Sequence, residues 1–187
     1  MSNNEFPGRR SIRLKEYNYS LAGGYFVTIV TLWREFLFGE IVGGEMQFNA
    51  LGRIVEECWQ AIPEYFPNTD VDVFVVMPNH VHGIIIIHNE TRRGTMPIVG
   101  ARQASPLPQH GTPPGSLGAI IGSFKSSVTR RAGRELNSAN IWQRNNYEHI
   151  LRDQHDYESI TNYIAANPVN WADDEENLYR LQSLGEQ

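Results

Sequence analysis

Residues 71–88 read VDVFVVMPNHVHGIIIIH, and this stretch decides the fold. Two apolar runs, residues 73–77 and 81–87, flank Pro78 and Asn79. Both are rich in Val and Ile and too short for a typical helix, so each reads as a buried strand. Pro78 cannot donate to a sheet ladder and favours a turn, so the chain reverses there into an antiparallel hairpin. The second strand opens with His80, Val81 and His82. Strand side chains alternate between faces, so the two histidines share one, about 7 Å apart along the strand at ~3.3 Å per residue. An isolated His-x-His is common and more often structural or exposed than functional. Here the pair interrupts a run that is otherwise wholly apolar. Two imidazoles on one face of a rigid strand are costly to bury unless something binds them, and a divalent metal is the simplest partner. Gly83 follows, where a backbone could come close to a ligand.

Length and composition predict one compact soluble domain over residues 1–187, because 187 residues with 41% hydrophobic content can bury a core. No apolar run is long enough to span a membrane, and the polar, charged first residues carry no secretory signal. The single Cys58 rules out an internal disulfide and suits the cytoplasm. A net charge of −5 argues on its face against nucleic acid. The charge is unevenly spread, however: residues 1–20 carry +2, 21–88 carry −6, 89–115 carry +2, 116–152 carry +4 and 153–187 carry −7. The basic block centres on Lys125, Arg130, Arg131, Arg134, Arg144 and Arg152. Such a block can hold phosphates although the total is acidic, and it can equally be a solvated helix face.

Residues 1–23 read as an extended basic lead-in, and residues 25–32 (YFVTIVTL) as a first strand. Residues 36–48 form a small hairpin turning at Gly43-Gly44. A helix capped by Asn49 follows, with Leu51, Ile54, Val55, Cys58, Trp59 and Ile62 at helical spacing; Pro63 and Pro67 end it. Residues 89–115 hold half of the chain's ten prolines and several glycines, the signature of a flexible insertion. Ser116 then caps a helix over residues 117–136. In residues 141–152, IWQRNNYEHILR, aromatics alternate with charge, and Trp142 and Tyr147 suit either base stacking or burial. Asp153 caps a last helix through Ala166, stopped by Pro168. On it Tyr163 and Asn167 stand four residues apart and share a face, beside Ile160 and Ile164. Tyr163 thus lies at the border of the apolar face, where a phenol can be half buried with its hydroxyl outward; an ordinary core tyrosine has the same pattern.

MPNHVHGIIII, IWQRNNYEHILRD and NYIAANPVNW, in this order, resemble the single-tyrosine HUH transposases, and among them the REP-associated tyrosine transposases. The resemblance covers roughly residues 23–171 apart from the Pro-rich insertion. It implies an α+β, ferredoxin-like sandwich: an antiparallel sheet with helices packed on one face. His80 and His82 match the HUH metal ligands, Tyr163 the nucleophile, and Asn167 the polar residue one turn later that completes the metal shell in relatives. The implied cofactor is Mg²⁺ or Mn²⁺. The implied partner is single-stranded or hairpin (REP-like) DNA, cut and rejoined through a 5′-phosphotyrosine link by a monomer or homodimer in the nucleoid-bearing cytoplasm. Lys125, Arg130, Arg131, Arg134 and Arg144 are then the candidate DNA contacts. Two other functions use the same residues differently. A DNA-hairpin binding protein of the same fold would not cut, and a water-using phosphodiesterase would need His80 and His82 but not Tyr163.

Overall fold

The computed structural model describes residues 22–89 and 113–179. Residues 1–21 of the expected lead-in (1–23) and most of the Pro-rich insertion therefore lie outside the described residues, and Gly23 already belongs to the first strand. Four antiparallel strands form the main sheet: β1 (Gly23–Val30), β4 (Thr69–Val76), β5 (His80–Ile87) and β6 (Tyr147–Ile150), in the order β4-β5-β1-β6. A separate hairpin joins β2 (Gly39–Val42) to β3 (Glu45–Phe48). The helices are α1 (Ala50–Gln60), α2 (Ile62–Tyr65), α3 (Leu117–Leu136) and α4 (Gln154–Ala166). Leaving out the small hairpin, the main sheet is built β1-α1-β4-β5-α3-β6, each helix carrying the chain past an intervening antiparallel strand. This is the ferredoxin-like split βαβ arrangement.

Local signals account for most boundaries. Asn49, Ser116 and Asp153 each sit in extended backbone and accept a bond from the amide three residues on, capping α1, α3 and α4. Gly43 and Gly44 take positive φ at the tip of the β2–β3 hairpin. Pro63 does not end the helical segment as expected. It occupies the first turn of α2, where a missing N–H costs nothing. β1 stops at Val30, earlier than its apolar pattern suggests, because the chain tightens into a 3₁₀ turn at Leu32–Arg34.

The sheet is covered on both sides, where the family resemblance implies helices on one face only. Tyr25, Val27 and Ile29 of β1 and Val81, Ile85 and Ile87 of β5 pack with α1 and α3 around Trp59 and Phe124. The alternate residues Phe26, Val73, Val75, Ile84 and Ile86 pack with Tyr157, Ile160 and Ile164 of α4. The physical reason lies in residues 84–87: an unbroken Ile run is apolar on both faces and needs cover on both. β6, in a stretch that mixes aromatic and charged residues, pairs with β1 from Tyr25↔Ile150 to Thr28↔Tyr147.

Gly83 has a role other than the one its neighbours suggest. Its missing side chain admits no ligand; a Cβ there would meet Trp59 Cζ2 at 2.4 Å and Phe74 Cβ at 2.9 Å, on the α1–α3 side. Trp59 is fully buried and has nowhere to retreat. Gly83→Ala is therefore expected to lower unfolding stability by about 1–3 kcal/mol through overpacking. A chemical denaturation midpoint equal to the wild type's would contradict this packing.

Candidate metal and tyrosine site

His80 and His82 fall on the α4 side of the sheet, opposite Val30 and Thr28 of β1. Both are buried, and their rings are 4.3 Å apart between centroids. The His82 ring stacks on Phe26 at 5.4 Å, and Thr28 Oγ1 lies 2.9 Å from its Nδ1. Its other nitrogen, Nε2, is 3.2 Å from the hydroxyl of Tyr163. The Tyr163 ring meets Phe26 edge-on at 6.2 Å and remains 47% exposed, so one side of the phenol faces solvent. The border position read from the helix pattern holds, but the hydroxyl turns in to His82 and not outward, because the buried imidazole offers it a hydrogen-bond partner.

Asn167, one turn on, is buried at the end of α4. Its Nδ2 donates to Asp174 Oδ2 at 3.1 Å, while its Oδ1 has no hydrogen-bond partner. His80 Nε2 is likewise buried and unbonded. Burial pulls the His80 pKa down to about 3; Asn167 opposes the shift and Arg34 adds to it. His80 is therefore neutral at physiological pH, with a lone pair to offer. Two buried acceptors with no donor between them are costly, and a cation satisfies both.

Asp174 is the residue that sequence reading missed. After α4 the chain makes a 3₁₀ turn at Trp171–Asp173 and folds back, leaving Asp174 buried. Its Oδ1 accepts from the Glu176 amide at 2.7 Å. Ligand atoms of His80, His82 and Asp174 all lie within 4.8 Å of one another. In sequence Asp174 belongs to the run DDEE, which reads as a solvated acidic patch, and nothing local says that Asp174 and Glu176 are the two that turn inward. The strap bearing it is tied down elsewhere: Arg34 Nε donates to Glu176 Oε2 at 2.7 Å, and Trp171 leans on His80 at 6.1 Å. Two imidazoles, a carboxylate and an amide oxygen form a donor set that could hold a divalent cation.

The helix bearing Tyr163 is braced against the sheet. Tyr157 OH donates to Asp72 Oδ2 at 2.8 Å, and His149 Nε2 of β6 lies 2.8 Å from Asp156 Oδ2. His149 and Asp153 of the motif thus serve in part to seat this helix.

The basic block does not gather at the site. Arg130, Arg131 and Arg134 lie on α3, across the sheet, along a cleft shared with Glu57, Tyr65 and Phe66. Arg131 is paired with Glu57 at 2.8 Å and Glu135 at 3.1 Å. Lys125 turns inward, donating to the carbonyls of Gln143 at 2.9 Å and Asn145 at 3.2 Å, and burial draws its pKa down to about 8. Arg144 is exposed, in the loop whose Gln143, Asn145 and Asn146 border Thr28 and Glu176 beside the site. Trp142 is packed against Phe38 and Phe124, at 5.4 Å and 5.6 Å.

No family model matches the chain. An uncharacterised protein of Haemophilus influenzae is 46% identical over 168 residues, which cover 89% of this chain and 92% of that protein. The chain belongs to the same family as this Haemophilus protein. A solved structure of a REP-associated tyrosine transposase bound to a REP hairpin superposes with a TM-score of 0.55 at 18% identity, covering 82% of this chain and 72% of the other. The fold is that of the REP-associated tyrosine transposases, as the sequence motifs imply. Among the described residues, no helix is long and apolar enough to cross a membrane.

Proposed function

We propose that the chain cuts and rejoins single-stranded DNA next to a hairpin, with Tyr163 as nucleophile and a divalent cation held by His80, His82, Asn167 and Asp174. The observation that carries this reading is the placement of a half-exposed phenol 3.2 Å from a buried histidine, beside two buried acceptors without partners. A cation bound there would polarise the scissile phosphate and offset the charge of the phenolate, and Mg²⁺ or Mn²⁺ suits the oxygen donors added by Asn167 and Asp174.

The protein's own residues do the rest. Phe26 and the β1–α4 packing fix the ring, and without a cation the phenol oxygen rests against His82 Nε2, which sets it beside the site where that nitrogen would hold the cation. In the step itself the Tyr163 hydroxyl gives up its proton to solvent on its open side, its oxygen forms a bond to phosphorus, and the bond from phosphorus to the 3′ oxygen breaks. The leaving oxygen takes up a proton and becomes a free 3′-OH, and the 5′ phosphate stays on Tyr163. Attack by that 3′-OH, or another, reverses the exchange and rejoins strands without a nucleotide cofactor. The linkage energy is conserved because one phosphodiester is traded for another.

Incubation of the protein and Mn²⁺ with hairpin DNA bearing single-stranded flanks tests this. A label 3′ of the cut should migrate with the protein on a denaturing gel, and a label 5′ of it should be released. Cleavage without a protein-bound label would favour water as nucleophile; binding without cleavage would favour a hairpin-binding role.

Arg130, Arg134 and Arg144 are the proposed phosphate contacts. Arg131 contributes less, being already paired, and Lys125 acts through the 143–145 loop it supports. Replacing Arg130 and Arg134 by Ala should reduce the slope of log affinity against log salt by about 0.7–0.9 for each arginine that meets a phosphate. An unchanged slope would confine the DNA to the other side of the sheet, with Arg144.

A further inference from the structure

We propose that Asn79 is a positioning residue that locks His80 in the one tautomer able to hold a cation and, with the same amide, ties down the strap that carries Asp174. The inference rests on the metal-site reading above.

A neutral imidazole has one N–H and one lone pair, and its surroundings decide which nitrogen carries which. His80 Nδ1 lies 2.9 Å from Asn79 Oδ1. An amide can in general be turned to face a neighbour with either its oxygen or its nitrogen. Asn79 cannot. Its Nδ2 donates to the carbonyl of Arg34 at 3.0 Å and to that of Glu176 at 2.7 Å, which uses both of its N–H bonds. A turned amide would set Oδ1 against two carbonyl oxygens in a residue with 0% exposure, where no water can relieve it. Oδ1 therefore faces His80 as an acceptor. Nδ1 must carry the proton, and the lone pair is left on Nε2, the buried atom that makes no bond.

His82 is held differently. Its two nitrogens face Thr28 Oγ1 and the Tyr163 hydroxyl, each of which can donate or accept. His80 is thus the fixed ligand, and His82, which touches the nucleophile, can exchange protons between its nitrogens. The Glu176 carbonyl that Asn79 holds is two residues from Asp174, so one buried amide sets both the tautomer of one ligand and the chain path of another. Outer partners of metal-bound histidines commonly change metal affinity by about 10–100-fold when removed.

Asn79 does two jobs, accepting from Nδ1–H and donating to both carbonyls. Asn79→Ala loses both. The first measurement is a long-range ¹H–¹⁵N correlation of the His80 ring in cation-free protein. It should show the Nδ1–H tautomer in the wild type and a mixture in Asn79→Ala. The second is titration with Mn²⁺, in which Asn79→Ala should bind about 10–100-fold more weakly. An Nε2–H tautomer in the wild type would overturn the proposal, and needs no variant to fold. So would an Asn79→Ala protein with the wild-type tautomer and Mn²⁺ affinity. Absence of Mn²⁺ binding by the wild type would instead refute the metal site, and the tautomer signal would still stand or fall by itself.

Discussion

Tyr163→Phe should abolish covalent capture of DNA and lower strand cleavage by a factor on the order of 10³–10⁶, the range seen when a catalytic nucleophile is removed. The substitution deletes one oxygen and leaves the ring, so the edge contact with Phe26 at 6.2 Å is kept. The lost hydrogen bond to His82 should cost only about 1 kcal/mol of stability. Hairpin binding should remain nearly intact. The effect on catalysis is thus separated from any effect on folding, and cleavage assays beside a gel-shift titration read both. Cleavage at the wild-type rate would remove Tyr163 from the chemistry and leave the histidine pair to activate water.

His80→Ala should have the second large effect. It removes the buried Nε2 acceptor and leaves Asn79 Oδ1 without its donor. Loss of a ligand from a site of four donors should lower Mn²⁺ affinity by more than about 100-fold, beyond the usual cost of an outer-partner change. The strand should persist, because Ile84, Ile85 and Ile87 are buried and hold β5 on both faces. A thermal shift distinguishes the outcomes. Mn²⁺ should raise the wild-type melting temperature in proportion to the logarithm of its concentration, since a ligand that binds only the folded state stabilises it by mass action. The variant should melt at one temperature with or without Mn²⁺. An undiminished shift in His80→Ala would place the cation elsewhere.

Much of this arrangement is legible in the chain because its causes are local. The Pro78-Asn79 turn, the strand that opens with His80, and the caps at Asn49, Ser116 and Asp153 each depend on a few adjacent residues. Tyr163 and Asn167 could be paired from helical spacing alone. What could not be read depends on distant partners. Gly83 is explained by Trp59, 24 positions earlier in the chain and on the opposite face from the histidines. Lys125 reads as a surface cation because nothing nearby shows that the 143–145 loop will cover it. β6 is an edge strand whose polar residues make pairs with neighbours, such as His149 with Asp156, and so it lacks an apolar alternation. Asp174 turns inward only because the strap is tied to Arg34 and Asn79, more than 90 residues away.

The most direct test of the central claim is to digest the protein after reaction with hairpin DNA and Mn²⁺ and to locate the nucleotide adduct by mass spectrometry. The account predicts a single modified peptide, with the 5′ phosphate of the cleaved strand on the oxygen of Tyr163. An adduct on any other residue, or cleaved DNA with no adduct on the protein, would contradict it.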